Sequence, residues 1–456
     1  RTVSCCQLES PAMRNLLSML QPDSVRGLMQ ALALIRPAPA SCGMKEEFVL
    51  RTQGERDISF EHPLLQDVLG DTRGILLFED DAMRVASALA GVSLEEGDLL
   101  RRAISKGDSE EELRRVSRSF IEKAVQNGVS AETASRVWAR MAQFNNYSFC
   151  RAHAASYAIM AYQLAYLKAH HPAEFMTAVL NHHWGMYPRR AHLEEARRTG
   201  VDIRGPHINR SKKGFSLQDG RIRVGLEQVK ELTRETLKRA LRLRQSEPFG
   251  SLPDFLRRTG AGRRETENLV LAGAFDFTGL NRPQLLWQLE TAQRGNTGEE
   301  DALLFPNRRE EPEPPALTGY SPVRRMRYEM SVLELSVAAH PMQVLRPRME
   351  GPPLPRSDAL PELVGQKICT AGILSATRTT TTRHGGAMQF LTLEDEKGLF
   401  EVTLFPNSYR GNAGRIEGMG PYVVQGTVED QHGAISLNAA SVRPLGLPEK
   451  SRQETG

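Results

Sequence analysis

Two periodicities divide the chain. Up to about residue 295, apolar residues return every three or four positions, the spacing of one helix face. From about Gly365 the period falls to two, the alternation of half-buried strands. In the helical part, Ala134, Val137, Met141 and Phe144 form one stripe behind Ser130, a residue able to cap a helix start. Ala155 to Lys168 is apolar nearly all round, which predicts a helix buried on several sides. IRPAPASCG (Ile35 to Gly43) reads as a loop. RGNTGEEDALLFPNRREEPEPP (Arg294 to Pro315) reads as a linker by its Gly, Pro and mixed charge.

Candidate strands are Lys367–Ala376, Met388–Asp395, Leu399–Phe405, Tyr422–Thr427 and Ala434–Ala440, with turn signals at Asp395 to Gly398 and Asp430 to Gly433. Five short strands in so small a span predict a closed barrel of the OB-fold type. The expected fold class is therefore multidomain, mainly α, followed by a small all-β OB-fold barrel.

A length of 456 residues allows two to four domains. The totals, 59 Lys+Arg against 55 Asp+Glu, nearly cancel, but their distribution does not. Arg189 to Arg264 holds 20 basic and 9 acidic residues, whereas Glu55 to Glu112 holds 6 basic and 15 acidic. The first stretch suits a polyanion. Five cysteines without a C-x-x-C pair form neither a disulfide framework nor a zinc site, so a reduced, cytoplasmic compartment is expected. The stretch Ala152 to Leu167 is interrupted by His153, Ser156 and Gln163 and does not suit a bilayer. The chain begins at Arg1 in what reads as mid-domain sequence, and we expect a fragment of a longer protein.

Candidate chemistry starts with GDLLRRAISKG (Gly97 to Gly107). If Leu99 and Leu100 face the core, Arg101 and Arg102 lie on the helix flank, where guanidinium groups can fork onto phosphate oxygens. Lys106 lies one turn on. The bland alternative is a solvated basic face. In YSFCRAHAASYA (Tyr147 to Ala158), Arg151 and His153 sit at a helix start, where a cation opposes the dipole and a bound anion would offset that cost; the alternative is a packed histidine and a surface arginine. The pairs His170–His171 and His182–His183 chelate poorly, because neighbours on a helix point about 100° apart. No metal site is expected in this chain.

The stretch LPDFLRRTGAGRRETENLVLAGAFDFTGLNR resembles paired helices with basic turns. Arg257, Arg258, Arg263, Arg264 and Arg282 in it are candidates to hold DNA phosphates without reading bases. TRTTTTRHGG (Thr377 to Gly386) reads as a basic loop between the first two barrel strands, with Arg378 and Arg383 placed to grip a single strand. Phe400, Val402 and Leu404 share the core face of their strand, and Phe405 falls on the other, where it could stack on a base or pack on a partner. No Asp-x-Asp, P-loop or G-x-S-x-G elbow occurs. Of the acidic clusters FEDD (Phe78 to Asp81) and EDE (Glu394 to Glu396), the second reads as a solvated turn.

Several stretches, in order, resemble the bacterial C-family DNA polymerases, the DNA polymerase III alpha subunits. They are CQLESPAM (Cys6 to Met13), LIRPAP (Leu34 to Pro39), HPLLQDVLGDTRGILLFEDDAMRVASALAGVSLEEGDLLRRAISK (His62 to Lys106), FCRAHAASYAIMAYQLAYLKAHHPAEFMTAVL (Phe149 to Leu180) and LVLAGAFD (Leu269 to Asp276). The resemblance implies a fingers domain over 1–188, a tandem helix–hairpin–helix region over 189–295, a linker with a possible clamp-binding segment over 296–364, an OB-fold over 365–445 and a tail over 446–456. It implies that Arg101 and Arg102 bind the triphosphate of an incoming dNTP, with Lys106, Arg151 and His153 as further nucleotide-binding candidates. It implies primer–template DNA as a partner and a sliding clamp met through Leu304 and Phe305 of DALLF, which lacks the family's Gln.

The family's catalytic carboxylates belong to a palm N-terminal to such fingers. The parent enzyme would join a primer 3′-oxygen to the α-phosphate of a dNTP in replication or translesion synthesis, with two Mg²⁺ held outside this chain, and the chain alone is expected to be inactive. Departures from the family are Phe78-Glu79-Asp80-Asp81 for a Tyr-Gln-Glu-Gln-like run, Cys150-Arg151-Ala152-His153 for Asn-Lys-Ser-His, Ala38 for Gly, and VKELT (Val229 to Thr233) for a glycine-rich hairpin. FCRAHA and NHHWGMYPRRAHLEEARRTGV look more like the error-prone branch. The competing reading is a stand-alone, non-catalytic DNA-binding or scaffold protein derived from the family.

Overall fold

The computed structural model describes residues 2–36, 43–106, 110–145, 148–183, 185–294, 313–382 and 384–445. It divides into two compact units, Arg1–Tyr166 with Asp430–Ala434, and Leu167–Glu429 with Ile435–Gly456.

The first unit is helical. Its helices are α1 (Pro11–Leu20), α2 (Val25–Leu34), α3 (Met44–Gln53), α4 (Gln66–Leu69), α5 (Glu79–Ala90), α6 (Leu94–Lys106), α7 (Glu110–Gln126), α8 (Ala131–Asn145) and the start of α9 (Arg151–His170). Hydroxyl caps set several starts: Ser10, Ser24 and Ser130 accept from the amides of Met13, Gly27 and Thr133. Behind Ser130 the stripe Ala134, Val137, Met141 and Phe144 is buried, packed with Val85, Leu89 and Phe120. A second core gathers Met13, Leu16, Leu32, Phe48, Leu77 and Phe78 against Ala154 and Ala158 of α9.

Two expectations fail in this unit. Leu99 does not face the core and is 65% exposed; Leu100 and Ile104 pack inward instead. One turn cannot bury two adjacent residues equally, since they diverge by about 100°. Nor is α9 buried on several sides. Ala154, Ala158 and Ala161 are covered, while Ile159, Tyr162 and Tyr166 are about half exposed. The alanines let the helix approach closely on one side, and the bulky side chains point the other way.

The second unit begins within α9 and continues through α10 (Pro172–His182) and α11 (Arg189–Arg198). A small sheet follows, of β1 (Ile203–Arg204), β2 (Ser216–Gln218) and β3 (Arg221–Arg223), with β3 central, parallel to β1 and antiparallel to β2. Then come α12 (Arg234–Ser246), α13 (Leu252–Thr259), α14 (Arg263–Leu271), α15 (Arg282–Arg294), α16 (Pro322–Leu333) and α17 (Pro341–Leu345). Glu265 of α14 ties its own helix start to the start of α12. It accepts from Gly262 N at 2.8 Å, Thr233 N at 2.9 Å, and the hydroxyls of Thr233 and Thr236 at 2.6 and 3.0 Å.

The barrel is closed, in the order β4 (Lys367–Thr381), β5 (Ala387–Glu394), β6 (Leu399–Leu404), β8 (Ala434–Pro444) and β7 (Tyr422–Gln431), with α18 (Pro406–Asn412) between β6 and β7. β6 and β8 run parallel. The five expected strands are all present, and Phe400, Val402 and Leu404 fill the core with Leu391, Leu393 and Leu437. Closure brings the backbones of β7 and β8 together at Gly426, where a Cβ would lie 2.3 Å from Asn438 O. The stretch Thr377 to Gly386 is less of a loop than expected. Its β-branched threonines extend β4 to Thr381, paired in register with β5 from Thr377↔Leu391 to Thr381↔Ala387.

The EDE cluster is the clearest reversal. Glu394 and Asp395 are wholly buried. A bulge at Ser375 turns its hydroxyl onto Glu394 at 3.0 Å, and Arg190 Nη1 of α11 donates to the same carboxylate at 3.1 Å, with Arg198 on its other oxygen. Arg198 also pairs with Glu195 at 2.8 Å, and Glu195 with Lys168. Asp395 accepts from Ser357 N and Oγ at 2.7 and 2.6 Å and from the turn amides of Lys397 and Gly398. Part of the basic run is thus consumed inside the unit, riveting α11 to the barrel.

Candidate nucleotide and nucleic-acid interface

In the first unit the sequence places Arg101 and Arg102 on α6. Gly97 allows α6 to lie against α5: a Cβ there would meet Met83 O at 2.7 Å. Asp98 gathers both arginines. Arg101 donates through Nε and Nη2 to its Oδ1 at 3.0 and 2.9 Å, and Arg102 Nη2 lies 2.7 Å from Oδ2. The hydrogen bond from Arg101, and then the charges of both arginines, hold the Asp98 carboxyl below the usual range. Arg101 also lies 4.0 Å from Glu79. Arg102 is 61% exposed and Arg101 21%. Two guanidinium groups therefore stand on one rim, gathered by the partly exposed carboxylate of Asp98. Lys106 is the last residue of α6, and its side chain lies outside the described residues.

Arg151 opens α9 and is clasped by the start of α5. Its Nε donates to Asp80 at 2.7 and 2.9 Å, its Nη2 to Asp81, and its guanidinium covers the Phe78 ring at 4.3 Å. Burial pushes Asp81 up, against the pull of the Phe78 and Leu77 amides and of Arg151. The dipole cost of a cation at the α9 start is thus offset by internal carboxylates. His153, two residues on, stands exposed between Phe149 and Tyr157, at 5.5 and 4.5 Å between ring centroids. Arg36 covers the other end of this row, 4.3 Å from the Phe149 centroid, and donates to Ser148 O. The row escaped the sequence reading because Arg36 is distant along the chain and the α9 start meets α5 through long-range contacts, among them the β-bridge Phe78↔Phe149.

In the second unit the five basic helix–hairpin–helix candidates separate. Arg257, Arg263 and Arg264 are exposed, and each has a carboxylate partner: Asp254, Glu290 and Glu231. Arg258 is mostly covered. It ties Asp254 to the carbonyls of Leu243 and Glu247 and packs on Phe249. Arg282 does not reach the surface. It is 6% exposed and bonds Leu271 O, Asp276 and Glu329 at 2.7, 3.1 and 3.1 Å. The fixed fork of an arginine suits such a junction, where three acceptors converge.

On the barrel, Arg378 is exposed and lies on β4, directly opposite Phe390 of β5, itself 40% exposed. Phe390 pairs across to Thr403 of β6, and Phe405 at the end of β6 is exposed to the same extent. Phe390 was invisible in the sequence because it alternates with core residues Leu391 and Leu393. Arg383, Leu304 and Phe305 lie outside the described residues.

The carboxylates that come together around these sites do so on arginines, and no group of three or more His, Cys, Asp or Glu among the described residues is arranged to hold a metal ion. These residues do not fit Mg²⁺. Among the described residues no helix is long and apolar enough to cross a membrane.

Comparison with known proteins finds three matched stretches. Residues 1–128 match the bacterial DNA polymerase III alpha subunit finger domain, 200–285 a helix-hairpin-helix motif, and 368–445 an OB-fold nucleic acid binding domain. The chain is 31% identical to an error-prone DNA polymerase of Symbiobacterium thermophilum, over 97% of this chain and 45% of that protein. It is 33% identical to an error-prone DNA polymerase of Corynebacterium glutamicum, over 98% and 42%, and 32% identical to the DNA polymerase III subunit alpha of Bacillus subtilis, over 90% and 37%. The chain thus spans less than half the length of these curated relatives.

Proposed function

We propose that this chain, which belongs to the bacterial DNA polymerase III alpha family, supplies the nucleotide-gripping fingers and the DNA-holding domains of a DNA-directed DNA polymerase. The observation that carries the reading is the pair Arg101 and Arg102 on one rim of α6, within the stretch that matches the finger domain. Two forked cations side by side suit a triphosphate, whose oxygens would replace the carboxylate of Asp98. Arg151 reaches the same anion only by exchanging Asp80 and Asp81 in the same way, and exposed His153 and its aromatic row are offered to the base or sugar. The helix–hairpin–helix region and the barrel hold primer–template DNA, the barrel through Arg378 and Phe390. Catalytic carboxylates and their Mg²⁺ belong to a part of the enzyme outside this chain, and the chain alone does not transfer nucleotides. A clamp contact through Leu304 and Phe305 completes the reading. The runs FCRAHA and NHHWGMYPRRAHLEEARRTGV favour the error-prone branch.

The test is dNTP binding by the full chain, by calorimetry, with and without Arg101→Ala/Arg102→Ala. We expect a loss of about tenfold or more, equivalent to about 1.4 kcal/mol. Equal binding by wild type and variant would overturn the grip. A second reading, a non-catalytic DNA-binding protein of the same descent, is favoured by the carboxylates already seated on Arg101, Arg102 and Arg151. It predicts DNA binding without any dNTP binding.

A further inference from the structure

We propose that Arg204, Arg210, Arg223 and Arg244, gathered around the small sheet of the second unit, form a docking site for the phosphate backbone of single-stranded DNA, with Phe277 as a stacking surface beside it. The inference rests on the DNA-holding part of the proposed function and is independent of the nucleotide grip.

The placement is built by the backbone. Arg204 of β1 and Arg223 of β3 are direct neighbours across the parallel pair. Like charges facing across strands oppose pairing. Gln218 of β2 brings the backbone of a third arginine alongside: it accepts from Arg223 Nε at 2.6 Å and donates to the main-chain carbonyl of Arg210 at 3.1 Å. Arg244 of α12 donates to Ile208 O at 2.6 Å, and Arg223 to Gly205 O at 3.0 Å, so both lie against the segment joining β1 to Arg210. These partners are neutral. Among the described residues none of the four forms an ion pair with a carboxylate, whereas Arg257, Arg258, Arg263, Arg264 and Arg282 all do. Asp202 nearby is engaged by Arg221.

The surroundings agree. Burial, then Arg210 and Arg204, lower the affinity of Arg223 for its proton. Burial, then Arg223, Arg210 and Arg244, push His207 down to about 4, so its ring is neutral at pH 7. That ring stacks on Phe277 with centroids 4.8 Å apart and planes 12° from parallel. Phe277 is 39% exposed. Repelling cations with no internal counter-charge mark a surface completed by a polyanion. The open aromatic narrows the choice to a single strand, since an unpaired base can stack on it whereas a duplex keeps its bases inside.

The experiment titrates the full chain with a fluorescein-labelled single strand and with its duplex, over a series of salt concentrations. Arg204→Gln/Arg210→Gln should weaken single-strand binding about tenfold or more at low salt. It should also flatten the salt slope by about 1.4, the release expected for two phosphate contacts. Phe277→Ala should weaken the single strand about fivefold or more, leave the slope as it was, and leave the duplex almost untouched. Arg26→Gln, which removes an exposed arginine paired with Asp71 in the first unit, serves as control, and thermal melts verify that each variant is folded. A wild-type slope in the double variant, a chain that prefers duplex, or a wild type that binds neither would each overturn the inference. If either of the first two occurs while Arg101→Ala/Arg102→Ala still weakens dNTP binding about tenfold or more, only this inference falls and the polymerase reading stands.

Discussion

Within the second unit, two sets of arginines carry the same charge into opposite surroundings. Arg190 and Arg198 on α11 are buried around Glu394 and Glu195, and every strong partner they have is part of the fold. Arg204, Arg210, Arg223 and Arg244 stand a short way along the chain with carbonyls, an amide and one another for company. The first set has been neutralised by folding and holds the barrel to the helices. The second has been left uncompensated, a condition that persists only where something else is gained. Arg101 and Arg102 of the first unit fall between: they are paired, but to a partly exposed carboxylate, and Arg102 itself stands open to solvent.

The comparison is broken most forcefully at Glu394. In Glu394→Ala, two buried guanidinium groups lose their shared counter-charge, and the second unit should lose about 3–5 kcal/mol in a denaturant titration. A loss under about 1 kcal/mol would mean that α11 is held by packing and that burial of charge does not separate the two sets.

Acid offers a gentler version of the same test. His192 and His340 are buried and, with His207, are pushed down to about 4, burial being the largest cause each time. Between pH 6.5 and 4 the unfolded chain binds protons that these histidines refuse, so they lower stability as pH falls. Burial pushes Glu194 the other way, to about 7, so it is protonated in the native state and loses its contribution as pH rises from 4.5 to 7. Three groups oppose one, and His207 is only half-buried, so unfolding should take up between one and two protons. Melts from pH 6.5 to pH 5 should show a fall of about 2 kcal/mol. Stability that stays level or rises on acidification would show that the histidines carry protons inside the fold.

Periodicity made much of the architecture legible. The switch from a spacing of 3.6 to 2 located the barrel, and alternation separated Phe400, Val402 and Leu404 from Phe405. What sequence could not show was which charges meet. EDE looked solvated because nothing local marks a turn that Arg190, Arg198 and Arg346 will cover from far along the chain. The basic run looked uniform because adjacent arginines carry no sign of their partners: Arg282 ends inside and Arg264 outside. Phe390 was hidden by its core neighbours, and the Arg204–Arg223 pair by a register that only the folded sheet defines.

Asp98 sharpens the intermediate case. If Arg101 and Arg102 exchange it for phosphate, Asp98→Asn removes a competitor, and dNTP affinity should rise about three- to fivefold in calorimetry. Unchanged affinity would mean that the arginines do not leave Asp98, which places them with Arg190 and Arg198 as structural groups.

The smallest expected effect separates the two sets most cleanly. In Arg223→Gln the charge facing Arg204 disappears, and the cross-strand repulsion with it. Glutamine loses the bonds to Gln218 Oε1 and Gly205 O but leaves no buried charge behind. The melt should be unchanged or rise by the equivalent of about 0.2–1 kcal/mol, the range for one cross-strand pair, while single-strand binding weakens. A side chain whose removal costs binding and not stability is kept for its ligand. Should Arg223→Gln destabilise the unit by more than about 1 kcal/mol, its two neutral hydrogen bonds outweigh the repulsion. Arg223 would then belong with Arg190, and the docking surface would shrink to Arg204, Arg210 and Arg244.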